Sequence, residues 1–232
     1  MAVDIQDNLR TFLRGRGPGE RYASFDYCFN HFQQAREDKD TARLADEDHL
    51  LLSSLQLGFY LASWGMMRGS GDLLQRSVRE LAPVIEQIAS EPESTWSLDA
   101  YNLTADADEV LALSDRIQRA FSIGASDILL TKVMLGVFGC VPAFDRYFQI
   151  GFKCNTLCER ALVRIGKFYD DNQAVIDSHT VWTLDFDTGL DTERRYSRSK
   201  LIDMVHFQEG LNLERQKRRF RQAQAHQSPD QR

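Results

Sequence analysis

Of the 232 residues, one segment alone alternates apolar and polar side chains as a strand does: Val181-Trp-Thr-Leu-Asp-Phe-Asp187. A lone strand cannot found a sheet-based domain. Every other periodic segment steps its apolar residues by three and four, the spacing of one helix face. The chain is therefore expected to be mainly α, as two packed helical lobes with at most one short β segment.

The helices are delimited by breakers and caps. A short amphipathic helix over residues 4–13 ends at Arg14-Gly-Arg-Gly-Pro-Gly19. A second, residues 21–36, carries the stripe Tyr22, Phe25, Phe29 and Phe32. A third, residues 46–67, is expected to bury Leu50, Leu51, Ser54, Leu55, Gly58, Leu61, Ala62 and Gly65. Arg68-Gly-Ser-Gly71 reverses the chain. Residues 73–88 continue helical, interrupted by Pro83, and Glu91-Pro-Glu-Ser-Thr95 reads as a linker. Further helices are expected over 105–121, 126–138, 145–152, 156–168 and from 197 to about 223. The organisation expected is an N-terminal helical lobe (1–90), a second lobe (104–175), a strand and helix packing back on both (176–223), and a flexible tail (224–232).

Composition narrows the function classes. The net charge is -6, so the surface is not uniformly basic, but a local basic patch remains compatible with nucleic acid. The four cysteines, Cys28, Cys140, Cys154 and Cys158, do not form a zinc pattern, and no His-x-x-x-His spacing occurs. Reduced thiols, a cytoplasmic location, no metal and no cofactor are expected. The N-terminus lacks a basic and apolar leader pattern. The longest apolar run, residues 133–144, is about half of the roughly 20 residues that a spanning helix needs, so no membrane segment is expected.

One stretch combines apolarity with an acid at its end. Residues 131–148 read Thr-Lys-Val-Met-Leu-Gly-Val-Phe-Gly-Cys-Val-Pro-Ala-Phe-Asp-Arg-Tyr-Phe. The apolar helix stops at Gly139, turns at Val141-Pro142 and delivers Asp145. Aspartate is a favoured helix cap, which is one role for it. The other is a carboxylate placed at a helix N-terminus facing a cleft, where burial and helix amides pull its acidity in opposite directions.

Ile123-Gly124-Ala-Ser-Asp127, the apolar helix to Gly139 and Val141-Pro142-Ala-Phe-Asp145 together resemble the hairpin, helix and catalytic-aspartate segment of helix-hairpin-helix DNA glycosylases. The resemblance spans residues 123–148. It implies a two-lobed helical fold and double-stranded DNA as partner, with the target base flipped into a pocket between the lobes. Gly124 and Ser126 would belong to the hairpin that holds a DNA phosphate through backbone amides. Asp145 would stabilise the oxocarbenium-like sugar or orient water, by the logic of glycoside hydrolysis. Bifunctional members carry a nucleophilic lysine at a position that falls near Asp127 or Ile128 here. Lys132 lies one turn further on, on a different helix face, so base excision without efficient strand cleavage is expected. An unusual base, such as hypermodified cytosine in phage DNA, and a role in antiviral defence fit the divergence of the rest of the chain.

Other residues are candidates for the same site. Tyr60 and Trp64 are one turn apart, with Arg68 a turn later and Ser70 at the reversal; they are expected to line a base pocket opposite Asp145. Arg146 and Lys153 flank the Asp145 helix, Lys132 lies on the helix before it, and Arg194, Arg195, Arg198 and Lys200 form a basic cluster, all candidates for DNA contact. Lys217, Arg218, Arg219 and Arg221 form a second cluster. A rival reading rests on Arg43-Leu-Ala-Asp-Glu-Asp-His49, whose spacing is similar to that of HEPN-type helical ribonucleases, in which arginine and histidine converge on a phosphate. A third reading is a non-catalytic interaction module in which Asp145 is only a cap. The oligomeric state is not fixed by these patterns.

Overall fold

The computed structural model describes residues 3–69 and 71–226. Its ten α-helices are α1 (Ile5–Leu13), α2 (Ala23–Glu37), α3 (Leu50–Ser63), α4 (Ala82–Ala89), α5 (Glu93–Trp96), α6 (Ala107–Ala120), α7 (Asp127–Val137), α8 (Arg146–Phe152), α9 (Glu159–Asp177) and α10 (Arg198–His226). The strand foreseen at Val181 has a partner. β1 (Trp182–Leu184) pairs antiparallel with β2 (Asp191–Arg195), and Trp182 lies opposite Arg195. The fold is thus mainly α with one short β hairpin.

Several boundaries differ from the sequence expectation for identifiable reasons. Pro83 does not interrupt a helix. It sits in the first turn of α4, where a missing N–H costs nothing. The segment before it forms two 3-10 turns, Asp72–Gln75 and Val78–Leu81. The expected linker at Glu91 contains α5, and Glu91 is buried under Arg116, which donates to both of its carboxylate oxygens at 2.9 and 2.8 Å. Helix α10 continues to His226, and the rest of the expected tail lies outside the described residues.

Two close approaches hold the helices that matter for the site. α8 crosses α10 where Gly151 faces His206 and Gly210 faces Tyr147; a side chain at either glycine would enter the opposing backbone. The turn between α7 and α8, residues 139–144, is wholly buried, so its polar backbone must be paired internally. Asp203 accepts from Ala143 N at 3.1 Å and Thr131 Oγ1 accepts from Phe144 N at 2.9 Å. Ser199 Oγ donates to Cys140 O at 2.9 Å, and Gln149 Nε2 donates to Phe144 O at 2.9 Å. α10 itself starts on Asp99, whose carboxylate accepts from Arg198 N and Ser199 N at 2.9 and 2.7 Å. The proline turn is therefore a clamped element, and Asp145 leaves it in one defined direction.

No described helix is long and apolar enough to cross a membrane.

Candidate functional site

Asp145 is the N-cap of α8. Its Oδ1 accepts from Tyr147 N and Phe148 N, both at 3.0 Å. Capping does not exhaust the carboxylate. Oδ2 lies 3.4 Å from Lys132 Nζ, which rises from α7 behind it. The lysine side chain is 2% exposed and the aspartate 16%, so the carboxylate is the outer member of the pair. Lys132 was expected to be offset from the position of a glycosylase lysine, yet the turn at 139–144 folds α8 back so that Asp145 meets it.

A second buried pair lies alongside. Lys200 Nζ donates to Asp203 Oδ2 at 2.8 Å, one turn along α10. Desolvation pulls the Lys132 ammonium below its ordinary value, against the attraction of Asp145 and Asp203 and with repulsion from Lys200. Asp203 is pushed up, chiefly by burial, although Lys200 opposes this. Two cations and two carboxylates in one low-dielectric region hold each other's charge state.

Aromatic rings wall this region. Trp64, the C-cap of α3, has Lys132 Nζ at 5.2 Å and Lys200 Nζ at 5.3 Å from its ring centre. Tyr22 stacks on Trp64 at 5.2 Å and Phe12 stacks on Tyr22 at 4.4 Å. Phe207 of α10 packs edge-on against Trp64, Tyr22 and Tyr147. Arg21 covers Trp64 from outside, its guanidinium 5.3 Å from the ring. Trp64 Nε1 is buried and has no hydrogen-bond acceptor among the described residues, which is uncommon for a buried donor.

No protein-family model, no curated protein and no solved structure matches this chain. The site therefore stands on its own geometry.

The other residues singled out in the sequence divide sharply. Of the three expected to line a base pocket, Trp64 alone joins the Asp145 cluster. Tyr60 is 2% exposed and packs its ring on Gly136 inside the core, so it is not an accessible pocket wall. Arg68 is exposed, its guanidinium folded against Gly65, and Ser70 lies outside the described residues. Gly124 is exposed with open space around it, and Ser126 caps α7 by accepting from Leu129 N at 3.3 Å. Arg146 is exposed beside Asp145 and reaches Glu214 at 2.6 Å. Lys153 is exposed at the left-handed end of α8.

Three residues of the first basic cluster lie away from Asp145 on the hairpin and the start of α10. Arg194 is saturated by Glu37, Asn30 and Gln34. Arg195 is exposed and lies 4.9 Å over Trp182. Arg198 pairs with Asp177 at 3.2 Å. Lys200, the fourth member, is the buried partner of Asp203 and so is no surface phosphate contact. Cys154 and Cys158 do not share a helix face, since both lie in the α8–α9 connection; all four cysteines are free.

A cleft of about 1000 Å³ lies elsewhere, between α2, the start of α3 and the hairpin. Arg43 and His49 both line it, with His31 and Arg194. Arg43 is paired with Asp38 at 2.7 Å, and Glu37, Asp185 and Glu193 add negative charge to the walls. His31 bonds Ser53 Oγ at 2.9 Å and is pulled down to about 4, mainly by burial.

Sequence reasoning missed Lys200, Asp203, Tyr22 and Phe207 as neighbours of Asp145. A signal existed: Lys200-Leu-Ile-Asp203 places an ion pair one turn apart inside an apolar run, which a solvated helix face would not require.

Proposed function

We propose that the protein is a DNA glycosylase-like hydrolase that excises a modified or damaged base from double-stranded DNA, with Asp145 as its catalytic carboxylate. The observation that carries this reading is the Lys132–Asp145 pair beneath Trp64. One carboxylate oxygen is fixed by helix amides and the other by a buried ammonium, so Asp145 is oriented before substrate arrives. As the C1′–N bond breaks, its electron pair leaves on the base. Asp145 faces the positive charge that develops on the sugar. Water then adds at C1′, and its proton goes to the departing base. Trp64, its ring held between Tyr22 and the two lysines, walls the ion pair and keeps it from bulk water.

The outward position of the carboxylate favours excision without strand cleavage, because Asp145 stands between the Lys132 amine and the sugar. Arg215, Lys217, Arg218, Arg219 and Arg221, all exposed on α10, supply a track for phosphates. That track begins at the site, since Glu214 pairs with both Arg146 and Arg218.

The test is incubation with unmodified DNA, with duplexes carrying damaged bases and with hypermodified-cytosine DNA, followed by alkali. Abasic sites formed by the wild type and lost in Asp145→Asn are expected; their persistence in that variant sinks the reading. A second reading is favoured by one observation, the placing of Arg43, His49 and His31 together on the cleft of about 1000 Å³. It makes the protein a helical ribonuclease. RNA cleavage that survives Asp145→Asn but not His49→Ala selects it. No product from either nucleic acid leaves an interaction module.

A further inference from the structure

α3 was expected to bury Leu51, Leu55 and Ala62. It buries Ser54, Gly58 and Leu61 as expected, together with Ser53, Leu57 and Tyr60, but turns Leu51, Leu55 and Ala62 outward. Leu51 is 61% exposed, Leu55 49% and Phe59 67%. With Ala62 they form one continuous stripe over three turns of the helix. Residues 50–67 contain no charged side chain, so nothing on this face opposes dehydration. Phe186, at the hairpin tip, is 74% exposed and borders a groove of about 550 Å³ shared with Leu55, Phe59 and Tyr27. The apolar surface of these side chains is roughly 500 Å², near the upper limit for the largest patch on a monomer.

The two ends of the stripe carry opposite charge. Asp46, Glu47 and Asp48 are exposed just before the helix. Arg68 and Arg21 are exposed at its far end, with the exposed Glu20 beside Arg21. A surface that is neutral in the middle and of opposite sign at its ends is complementary to itself only when turned end for end.

We propose that α3 forms the two-fold interface of a homodimer, each α3 lying antiparallel on its copy. About a centre at Leu55, Phe59 of one protomer lies on Leu51 of the other, and each acidic end meets an arginine end. Such an isologous pairing closes on itself. The two patches together remove roughly 1,000 Å² from water, and their charged rims bring the contact toward the ~1,600 Å² of a standard interface. A parallel pairing would set three acids against three acids. This inference is independent of the reaction at Asp145.

Sedimentation of the full chain over a wide concentration range tests it. The expected species has twice the 26.6 kDa chain mass. Leu55→Glu with Phe59→Glu is expected to sediment as a monomer with unchanged circular dichroism, since both side chains point to solvent. Arg68→Glu is expected to weaken association by about tenfold, and adding Glu47→Arg to the same chain is expected to restore it. A wild type that stays monomeric at the highest concentration overturns the proposal. So does a Leu55→Glu/Phe59→Glu protein that still dimerises.

Discussion

The ring of Tyr60 on α3 lies on Gly136 of α7, so closely that a methyl group there would collide with it. This contact sets how near α3 comes to α7, and hence how Trp64, one turn beyond Tyr60, sits over Lys132. Gly136→Ala is expected to cost about 1–3 kcal/mol through overpacking. Urea denaturation with an unchanged m-value checks the cost. Base excision is expected to fall along with stability, because the displacement reaches Trp64.

Lys132 holds Asp145 from behind. Lys132→Met is expected to lower the excision rate by about 10²–10⁴ and to leave binding to unmodified duplex unchanged. Desolvation already lowers the pKa of this ammonium, so it loses its proton at a pH below the ordinary lysine value. The rate is therefore expected to decline on the alkaline side at a pH below that of an ordinary lysine, with that limb absent from the residual activity of Lys132→Met. Borohydride is expected to trap no enzyme–DNA adduct with the wild type.

The arm of α10 from Arg215 to Arg221 holds five cations and no acid. Replacing Lys217, Arg218, Arg219 and Arg221 with Gln is expected to weaken DNA binding and to flatten its dependence on log salt by about 3.6, at about 0.9 per lost phosphate contact. The single-turnover rate at saturating protein is expected to stay unchanged. Binding isotherms at several salt concentrations separate this from a loss of folding.

His206 is enclosed by Phe148, Phe152 and Phe168, and its ring nitrogens make no hydrogen bond of good geometry, the Gly151 backbone offering only a weak contact that partly offsets burial. Burial pulls it down to about 4 from 6.5. Between those values the unfolded chain binds a proton that the native histidine refuses, so stability falls as pH drops from 6.5 toward 4. At 1.36 kcal/mol per unit the loss is about 3 kcal/mol. His206→Leu is expected to remove that loss, seen as a higher Tm at pH 5 relative to the wild type. At pH 7.5 the two proteins are expected to melt close together.

The sequence made the helical class plain, because apolar steps of three and four recur in almost every segment. It named the buried side of α3 only in part: Ser54, Gly58 and Leu61 are buried as expected while Leu51, Leu55 and Ala62 face outward, because a helix without charge on either face has little periodic contrast to reveal which one faces the core. It missed β2 because Asp191-Thr-Glu-Arg-Arg195 carries no apolar alternation. That strand is held by backbone pairing to β1 at the surface. Asp145 was legible as both cap and carboxylate. Its partner was not, since helical position alone could not reveal that a buried turn, tied down by Asp203, Thr131 and Ser199, reverses the chain onto Lys132. The basic residues were legible as clusters, but the acids that neutralise Arg194 and Arg198 come from distant helices.

α10 is one unbroken rod that begins in the core at Asp99 and ends as the basic arm. Residues 215–226 extend about 18 Å at 1.5 Å per residue. Laid along a duplex with 3.4 Å between steps, that length spans about five base pairs. On the proposed reading, the protein would protect DNA unevenly, with a footprint reaching further on the arm's side of the extruded nucleotide than on the other. A lesion within a few pairs of a strand end would then be processed well in one orientation and poorly in the reverse.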